Sequence, residues 1–276
     1  MANVGSKEFM PEISIIIPVY NKAIYIEDTI QSALAQTFSS IEILVVNDGS
    51  EDGSGEVCEK IAGQDTRIVY WEQPNQGVVA ARNNAIKKAK GKYIFPLDAD
   101  DLIVPDCLEK MYRAIESNEV DVVYSYVSRK QDGSSVMRYP EVGVPSILVK
   151  NCVPVSALFR RSEWERYGGY RSNMSGGLED WDFWLNFVED GRKFLLISEP
   201  LLFWRPVDGS RNKMASANKK SMIKNIVANH AALYRPYRNK LMYYMVFRVA
   251  SWLRFIDFFG HIREKLKIYA HIRKYG

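Results

Sequence analysis

Tyr93-Ile94-Phe95-Pro96-Leu97-Asp98-Ala99-Asp100-Asp101 passes from five residues suited to a buried strand to three acids in four positions. A short apolar run bounded by polar residues predicts an interior strand, with the acids at its carboxyl end. Two carboxylates one residue apart can turn toward one hard divalent cation, with substrate oxygens completing the shell. Taken alone, the pattern equally fits a solvated acidic turn. Three such acids behind a buried strand repel one another unless a cation is near.

The same pattern recurs upstream. Residues 13–19 and 41–46 are β-branched runs, ended by Tyr20-Asn21 and by the turn signal Asn47-Asp48-Gly49-Ser50. Residues 24–38 carry apolar side chains at 26, 30, 33 and 34, a helical spacing. A polar helix is expected at about 53–63, a strand at 67–71, and a helix at 77–90 capped by Gly91. Continuously apolar strands alternating with helices predict an α/β fold with a mostly parallel sheet covered on both faces. Ligands of such sheets sit beyond the carboxyl ends of the strands. Three polar clusters occupy those ends, and their convergence is the main sign of a site.

Downstream, the pattern predicts a helix at 106–117, a strand at 120–127 and an irregular stretch at 131–153. A short strand at 156–159, a helix around 162–167 and a Gly-rich loop at 168–177 come next. They lead to a helix at 178–190, a strand or hairpin at 194–204, and helix beyond 211. No repeat or low-complexity tract interrupts the chain.

Composition narrows the function classes. With 47% hydrophobic and 25% charged residues in 276, disordered and collagen-like readings are excluded. The net charge of +4 is too small to imply nucleic acid. Its distribution is uneven: residues 211–276 hold 15 Lys/Arg against 2 Asp/Glu, and residues 1–210 hold 22 against 31. A basic tail on an acidic body suggests a charged partner surface. Three cysteines (Cys58, Cys107, Cys152), odd in number and without CxxC spacing, point to a reducing, cytoplasmic compartment and no zinc cluster. The three histidines (His230, His261, His271) all lie in the tail, so acid–base or metal chemistry in the body must rest on carboxylates. Residues 1–9 contain no apolar run of a signal peptide and read as a tag or disordered terminus.

Four segments together resemble family 2 glycosyltransferases of the GT-A fold, such as those of bacterial surface polysaccharides. They are Ser14-Ile15-Ile16-Ile17-Pro18-Val19-Tyr20-Asn21, Val45-Val46-Asn47-Asp48-Gly49-Ser50-Glu51-Asp52-Gly53-Ser54, Asn75-Gln76-Gly77 with Ala81-Arg82-Asn83, and Leu97-Asp98-Ala99-Asp100-Asp101. Order, spacing and context match over about residues 12–205. The resemblance implies a single Rossmann-like sheet flanked by helices in a catalytic domain at 10–210, followed by a basic helical segment at 211–276. Its nucleotide-binding half would be about 10–101 and its acceptor half about 102–210. Tyr20 would stack on the nucleobase, with Pro18 and Asn21 shaping the pocket. Asp48 would accept a hydrogen bond from N3–H of uracil or thymine. Asp98, with Ala99 beside it, would lie near the ribose and metal. Asp100 would ligate Mn2+ or Mg2+ bridging the diphosphate, and Arg82 would support the acids or the phosphates.

Gly176-Gly177-Leu178-Glu179-Asp180-Trp181-Asp182-Phe183-Trp184 resembles the family's Glu-Asp motif on the acceptor side, which makes Asp180 the catalytic base beside Glu179, Trp181 and Trp184. Inverting transfer needs a base for the acceptor hydroxyl, and a body without histidine leaves a carboxylate. The helix macrodipole favours the ionised form in a first turn, and the preceding glycines suit a hinge. The bland alternatives are acids that only complement a helix N-terminus, and tryptophans that serve as core instead of a sugar platform. One departure stands out: many relatives carry a histidine near the metal where Val207 falls here. Asp100 and substrate would then hold the metal alone, or Arg205 and Arg211 would help hold the diphosphate.

The expected function is metal-dependent, inverting transfer from a nucleotide-sugar donor, UDP-linked, to a hydroxyl of a glycan or lipid-linked acceptor. A nucleotide-sugar-binding relative without transferase activity would lack the base, which Asp180 argues against. A sugar-phosphate nucleotidylyltransferase needs a Gly-rich basic loop after the first strand, and a dinucleotide oxidoreductase needs GxGxxG there. Pro18-Val19-Tyr20-Asn21 is neither. In the tail, residues 241–259 are apolar and aromatic apart from Arg248, Ser251, Arg254 and Asp257. Those charges argue against a membrane span. The basic stretch 235–267 suits the anionic inner face of the cell membrane, or packing on the acidic body or on a second subunit in a homo-oligomer.

Overall fold

In the computed structural model, which describes residues 10–144, 146–206 and 211–237, the expected alternation of strand and helix begins at once. β1 (Ile13–Val19) and β2 (Ile41–Asn47) are buried at every position, because helices cover both faces of the sheet and no face meets water. Between and after them come α1 (Ala23–Leu34), α2 (Ser54–Ala62), β3 (Ile68–Glu72), α3 (Gly77–Lys88) and β4 (Tyr93–Pro96). β1 pairs in parallel with both β2 and β4, and β2 with β3. The end of β1 therefore lies between the ends of β2 and β4, which juxtaposes the three polar clusters.

Successive side chains of β1 point to opposite faces. Ile13, Ile15 and Ile17 join one core cluster, and Ile16 joins the other. α3 is shorter than its pattern predicts: Ala89 is already extended, at ψ 136°, and Gly91 is not its cap. A Cβ at Gly91 would stand 2.6 Å from Ser14 Oγ and 2.7 Å from Ser14 N. Glycine lets this backbone approach β1 closely, and its N–H donates to Ser14 Oγ at 2.9 Å.

The second half is mixed. It contains β5 (Leu102–Ile103), α4 (Cys107–Ser117), β6 (Val122–Ser128), β7 (Val136–Met137), α5 (Ser146–Val149), β8 (Leu158–Arg160), α6 (Arg161–Tyr167), α7 (Glu179–Glu189) and β9 (Phe194–Phe203). The sheet order is β3-β2-β1-β4-β8-β6-β9-β5, with β7 on β6. β8 is antiparallel to both neighbours, as β5 is to β9 and β7 to β6. β6 and β9 are parallel. β9 is one strand and not a hairpin, with irregular register opposite Ser125–Val127 letting its ten residues follow β6. β5, too short to carry a period, escapes the sequence pattern.

α8 (Arg211–Asn229) and α9 (Ala231–Tyr234) follow. Met222, Ile223, Ile226, Val227 and Tyr234 are buried in the cluster that also holds Trp181, Trp184 and Leu185 of α7. The first part of the basic tail thus packs on the body. The terminus at 1–9, Val207, and the apolar stretch 241–259 with its His261 and His271 neighbours lie outside the described residues. Among the described residues no helix is long and apolar enough to cross a membrane.

Candidate active site at the strand ends

Beyond β1, Asn21 adopts a left-handed conformation with φ 51°, which asparagine tolerates better than most residues. Its N–H donates to Ser50 Oγ at 3.0 Å, and its Oδ1 accepts the Glu51 N–H at 2.9 Å. Asn21 thereby ties the end of β1 to the loop after β2. Tyr20 beside it is 48% exposed, with ring surface open to a ligand, whereas Pro18 is buried in β1 opposite Val46. Asp48 is buried, and its carboxylate already accepts from Gln73 Nε2 at 2.8 Å and from the N–H groups of Gln76 and Gly77 at 3.0 and 2.9 Å. Whatever else it binds, Asp48 fixes the loop that enters α3.

The acids after β4 are balanced from within the protein. Arg82 Nη2 donates to Asp98 Oδ1 at 2.5 Å, and Lys22 Nζ reaches Asp100 Oδ2 at 2.6 Å. Arg205 donates its N–H to Asp101 Oδ1 at 3.2 Å and its Nε to the Asp100 carbonyl at 2.5 Å. Burial, then Asp98 and Asp100, push the Asp101 carboxyl well above the usual range. Ion pairs from Arg82 and Lys22 thus offset part of the repulsion inferred from sequence. Arg205 is not available to a diphosphate as expected, because its guanidinium is held by Asp28 at 2.9 Å and by the Tyr25 carbonyl and Thr29 hydroxyl. The Arg211 side chain lies outside the described residues. Ala99 also departs from expectation: it is buried in the core, and its carbonyl accepts the Thr29 hydroxyl at 3.0 Å. It spaces the two acids and offers no surface to a sugar.

Arg82, on α3, is fully buried and joins the two halves, with Nη1 donating to Glu179 Oε1 at 2.7 Å. Burial works against its charge, yet Asp98 and Glu179 hold it protonated above the usual arginine range. Glu179 opens α7 directly after Leu178, whose φ of 61° is strained for a branched residue. Asp180 follows. Its Oδ2 accepts from Asn151 Nδ2 at 2.8 Å and its Oδ1 from the Trp181 N–H at 2.8 Å. The macrodipole argument predicts an ionised carboxylate, but burial and then the Glu179 charge outweigh it and push Asp180 up to about 7. A cavity of about 440 Å³ is lined by Arg82, Asp98, Glu179 and Asp180 together, and also by Arg129 and Trp204.

Trp181 and Trp184 are both core. Three residues apart on α7, they share its inward face; Trp181 Nε1 donates to the Ile147 carbonyl at 2.7 Å, and Trp184 is fully enclosed against Phe159 and Phe187. Neither is a sugar platform. Lys22, Asn151, Arg129 and Trp204 went unread in the sequence as cavity or acid partners. Of these only Lys22, adjacent to Tyr20-Asn21, carried a local signal.

Asp98 and Asp100, with side chains 28% and 18% exposed, are oxygen donors suited to a hard divalent cation. Among the described residues no group of three or more His, Cys, Asp and Glu could hold a metal. Two carboxylates fit a site whose remaining oxygens come from a substrate diphosphate and water.

A sheet parallel at one end and mixed at the other, with acids at the β4 end and a carboxylate at the start of α7, defines a GT-A architecture. The chain matches the model of glycosyl transferase family 2 over residues 14–174 and belongs to that family. EpsJ of Bacillus subtilis, named as an uncharacterized glycosyltransferase, is 38% identical over 144 residues, covering 48% of this chain and 42% of EpsJ. Staphylococcus aureus TarS in complex with UDP-GlcNAc shares the fold with a TM-score of 0.68 and 21% identity, covering 79% of this chain and 66% of that one. The mannosyltransferase PcManGT of Pyrobaculum calidifontis, in complex with GDP-Man and Mn2+, has a TM-score of 0.60 and 20% identity over 96% of this chain and 70% of its own. The chain spans less than half the length of the curated relatives it matches.

Proposed function

We propose that this chain is an inverting, metal-dependent glycosyltransferase that moves a sugar from a UDP-linked donor to a hydroxyl of a glycan or lipid-linked acceptor. The observation that carries this reading is the Arg82 bridge. One buried guanidinium joins Asp98 to Glu179, and so an acid at the donor end and Asp180 line a single cavity. A single displacement requires a base facing the donor's anomeric carbon across one enclosed space. With its pKa pushed up to about 7, Asp180 is basic enough near neutrality to take a hydroxyl proton. As the acceptor oxygen bonds to the anomeric carbon, the bond to the diphosphate oxygen breaks and its electron pair leaves with the nucleotide. The proton stays on Asp180.

Asp98 and Asp100 would hold Mn2+ or Mg2+, which when bound neutralises the charge gathering on the diphosphate. Tyr20 offers its ring to the nucleobase, and Asp48 steadies the adjoining loop and stands ready for the base edge. Family membership supports glycosyl transfer, the UDP-GlcNAc complex of TarS supports a UDP-sugar, and the Mn2+ of PcManGT supports a metal. Cys58, Cys107 and Cys152, buried and outside any disulfide among the described residues, suit a reducing cytoplasm. A nucleotide-sugar panel tests the reading. We expect metal-dependent release of UDP from one UDP-sugar, stimulated by acceptor; release from no donor, or equal release in EDTA, would contradict it.

A further inference from the structure

The sheet register brings two side chains together at the cavity wall that the proposed chemistry does not use. β6 and β9 are parallel with Ser128 opposite Phe203, and the Trp204 N–H donates to the Ser128 carbonyl at 2.8 Å. The next residue, Arg129, is fixed by its own N–H to the Ser135 carbonyl at 2.7 Å across the β6–β7 hairpin. The guanidinium carbon of Arg129 lies 5.7 Å from the centre of the Trp204 ring. A cation at this distance over an aromatic face is attracted by the ring and still presents its N–H donors to a ligand.

Charge makes the arrangement informative. Among the described residues, the cavity lining includes Asp98, Asp101, Glu179 and Asp180 together with two arginines, Arg82 and Arg129. Arg82 already pairs through Nη2 with Asp98 and through Nη1 with Glu179. Arg129 makes no ion pair and donates no side-chain hydrogen bond among the described residues. In a cavity lined by several carboxyl groups, an anionic ligand is favoured beside such a guanidinium. A guanidinium with its N–H donors uncommitted matches carboxylate and phosphate in a bidentate manner.

We propose that Arg129 is a specificity-determining residue for the acceptor, and that the acceptor carries a carboxylate or a phosphate near the hydroxyl that reacts. The assignment of this cavity to the acceptor rests on the function proposed above. The apolar surfaces of Met137 and Leu202 on the same wall suit the C–H face of the sugar that bears the anion.

Calorimetric titration separates this claim from that reading, because it needs no turnover. Three probes are a p-nitrophenyl hexoside, the matching hexuronide and the matching hexoside phosphate, each titrated into the full chain and into Arg129→Gln and Arg129→Lys. The expected result is binding of one anionic probe about tenfold or more tighter than the neutral one. That preference is lost in Arg129→Gln and partly kept in Arg129→Lys. The better anionic probe identifies the source of the charge. Arg129 is exposed, so the melting temperature of both variants stays at the wild-type value. Equal binding of all three probes, or a preference that survives in Arg129→Gln, overturns the proposal. Absence of donor hydrolysis with the binding preference intact would instead overturn the transferase reading.

Discussion

Arg82 and Glu179 are 97 positions apart in the chain and 2.7 Å apart in space. The same guanidinium holds Asp98, so the strand-end acids and the start of α7 cannot shift independently. This coupling has an energetic consequence. Removing the guanidinium takes from Glu179, 6% exposed at its side chain, its buried ion-pair partner at 2.7 Å. Arg82→Ala should destabilise the fold by about 3–5 kcal/mol, read from urea midpoints. Adding Glu179→Gln should recover part of that loss; a strictly additive further loss would contradict the bridge.

The pH profile follows from Asp180, whose carboxyl is pushed up to about 7 by burial and by Glu179. Only the ionised form accepts a proton, so turnover should rise with pH through about 7 and level off above it. The stability effect has the opposite sign. A raised folded-state pKa contributes stability at low pH that is lost as pH climbs through about 7. Asp180→Asn should therefore gain on the wild type in melting temperature between pH 5 and pH 8. A constant difference across that range would contradict the shift.

Asp182 behaves in the reverse manner. It accepts Arg171 Nη1 at 2.8 Å and Asn229 Nδ2 at 2.7 Å and lies 3.3 Å from His230 Nε2. Burial raises its pKa, but His230, Asn229 and Arg171 together bring it below the usual value. Its stabilisation is present at neutral pH and lost as pH falls through the ordinary aspartate range. Asp182→Ala should cost about 3 kcal/mol or more and speed hydrogen exchange of the amides at 218–230. Unchanged protection of that helix would show that α8 is held by its apolar contacts alone.

Lys22 competes for the carboxylate assigned to the metal. In Asp100→Ala, Mn2+-dependent UDP binding should be abolished, while Lys22→Gln should keep it and bind at lower Mn2+ concentration. Calorimetry of UDP with Mn2+ and with EDTA decides the matter. Equal UDP affinity in both buffers would remove the metal from the account.

Local patterns carried much of this into the sequence. The runs ending at Val19 and Asn47, and the acids after Pro96, are legible because buried parallel strands are apolar throughout and their ends are not. Long-range partners left no such trace. Nothing near Arg82 marks Glu179, and nothing near Asp100 requires Lys22 to turn toward it. Arg205 looked free for phosphate because α1, which takes its guanidinium, lies about 180 residues earlier. Trp181 and Trp184 have a spacing that serves a core or a platform equally; the packing of Trp184 against Phe159 and Phe187, and the burial of Trp181 with its indole N–H on the Ile147 carbonyl, decide between them. Gly91 reads as a helix cap by position, yet it is required by contact with Ser14.

The most direct test of the central claim is the turnover of Asp180→Asn with donor and acceptor saturating. Asparagine keeps the shape and accepts no proton, so transfer should fall roughly 10²–10⁴-fold while the donor's binding constant stays at the wild-type value. Retention of more than about a tenth of wild-type turnover would contradict Asp180 as the base.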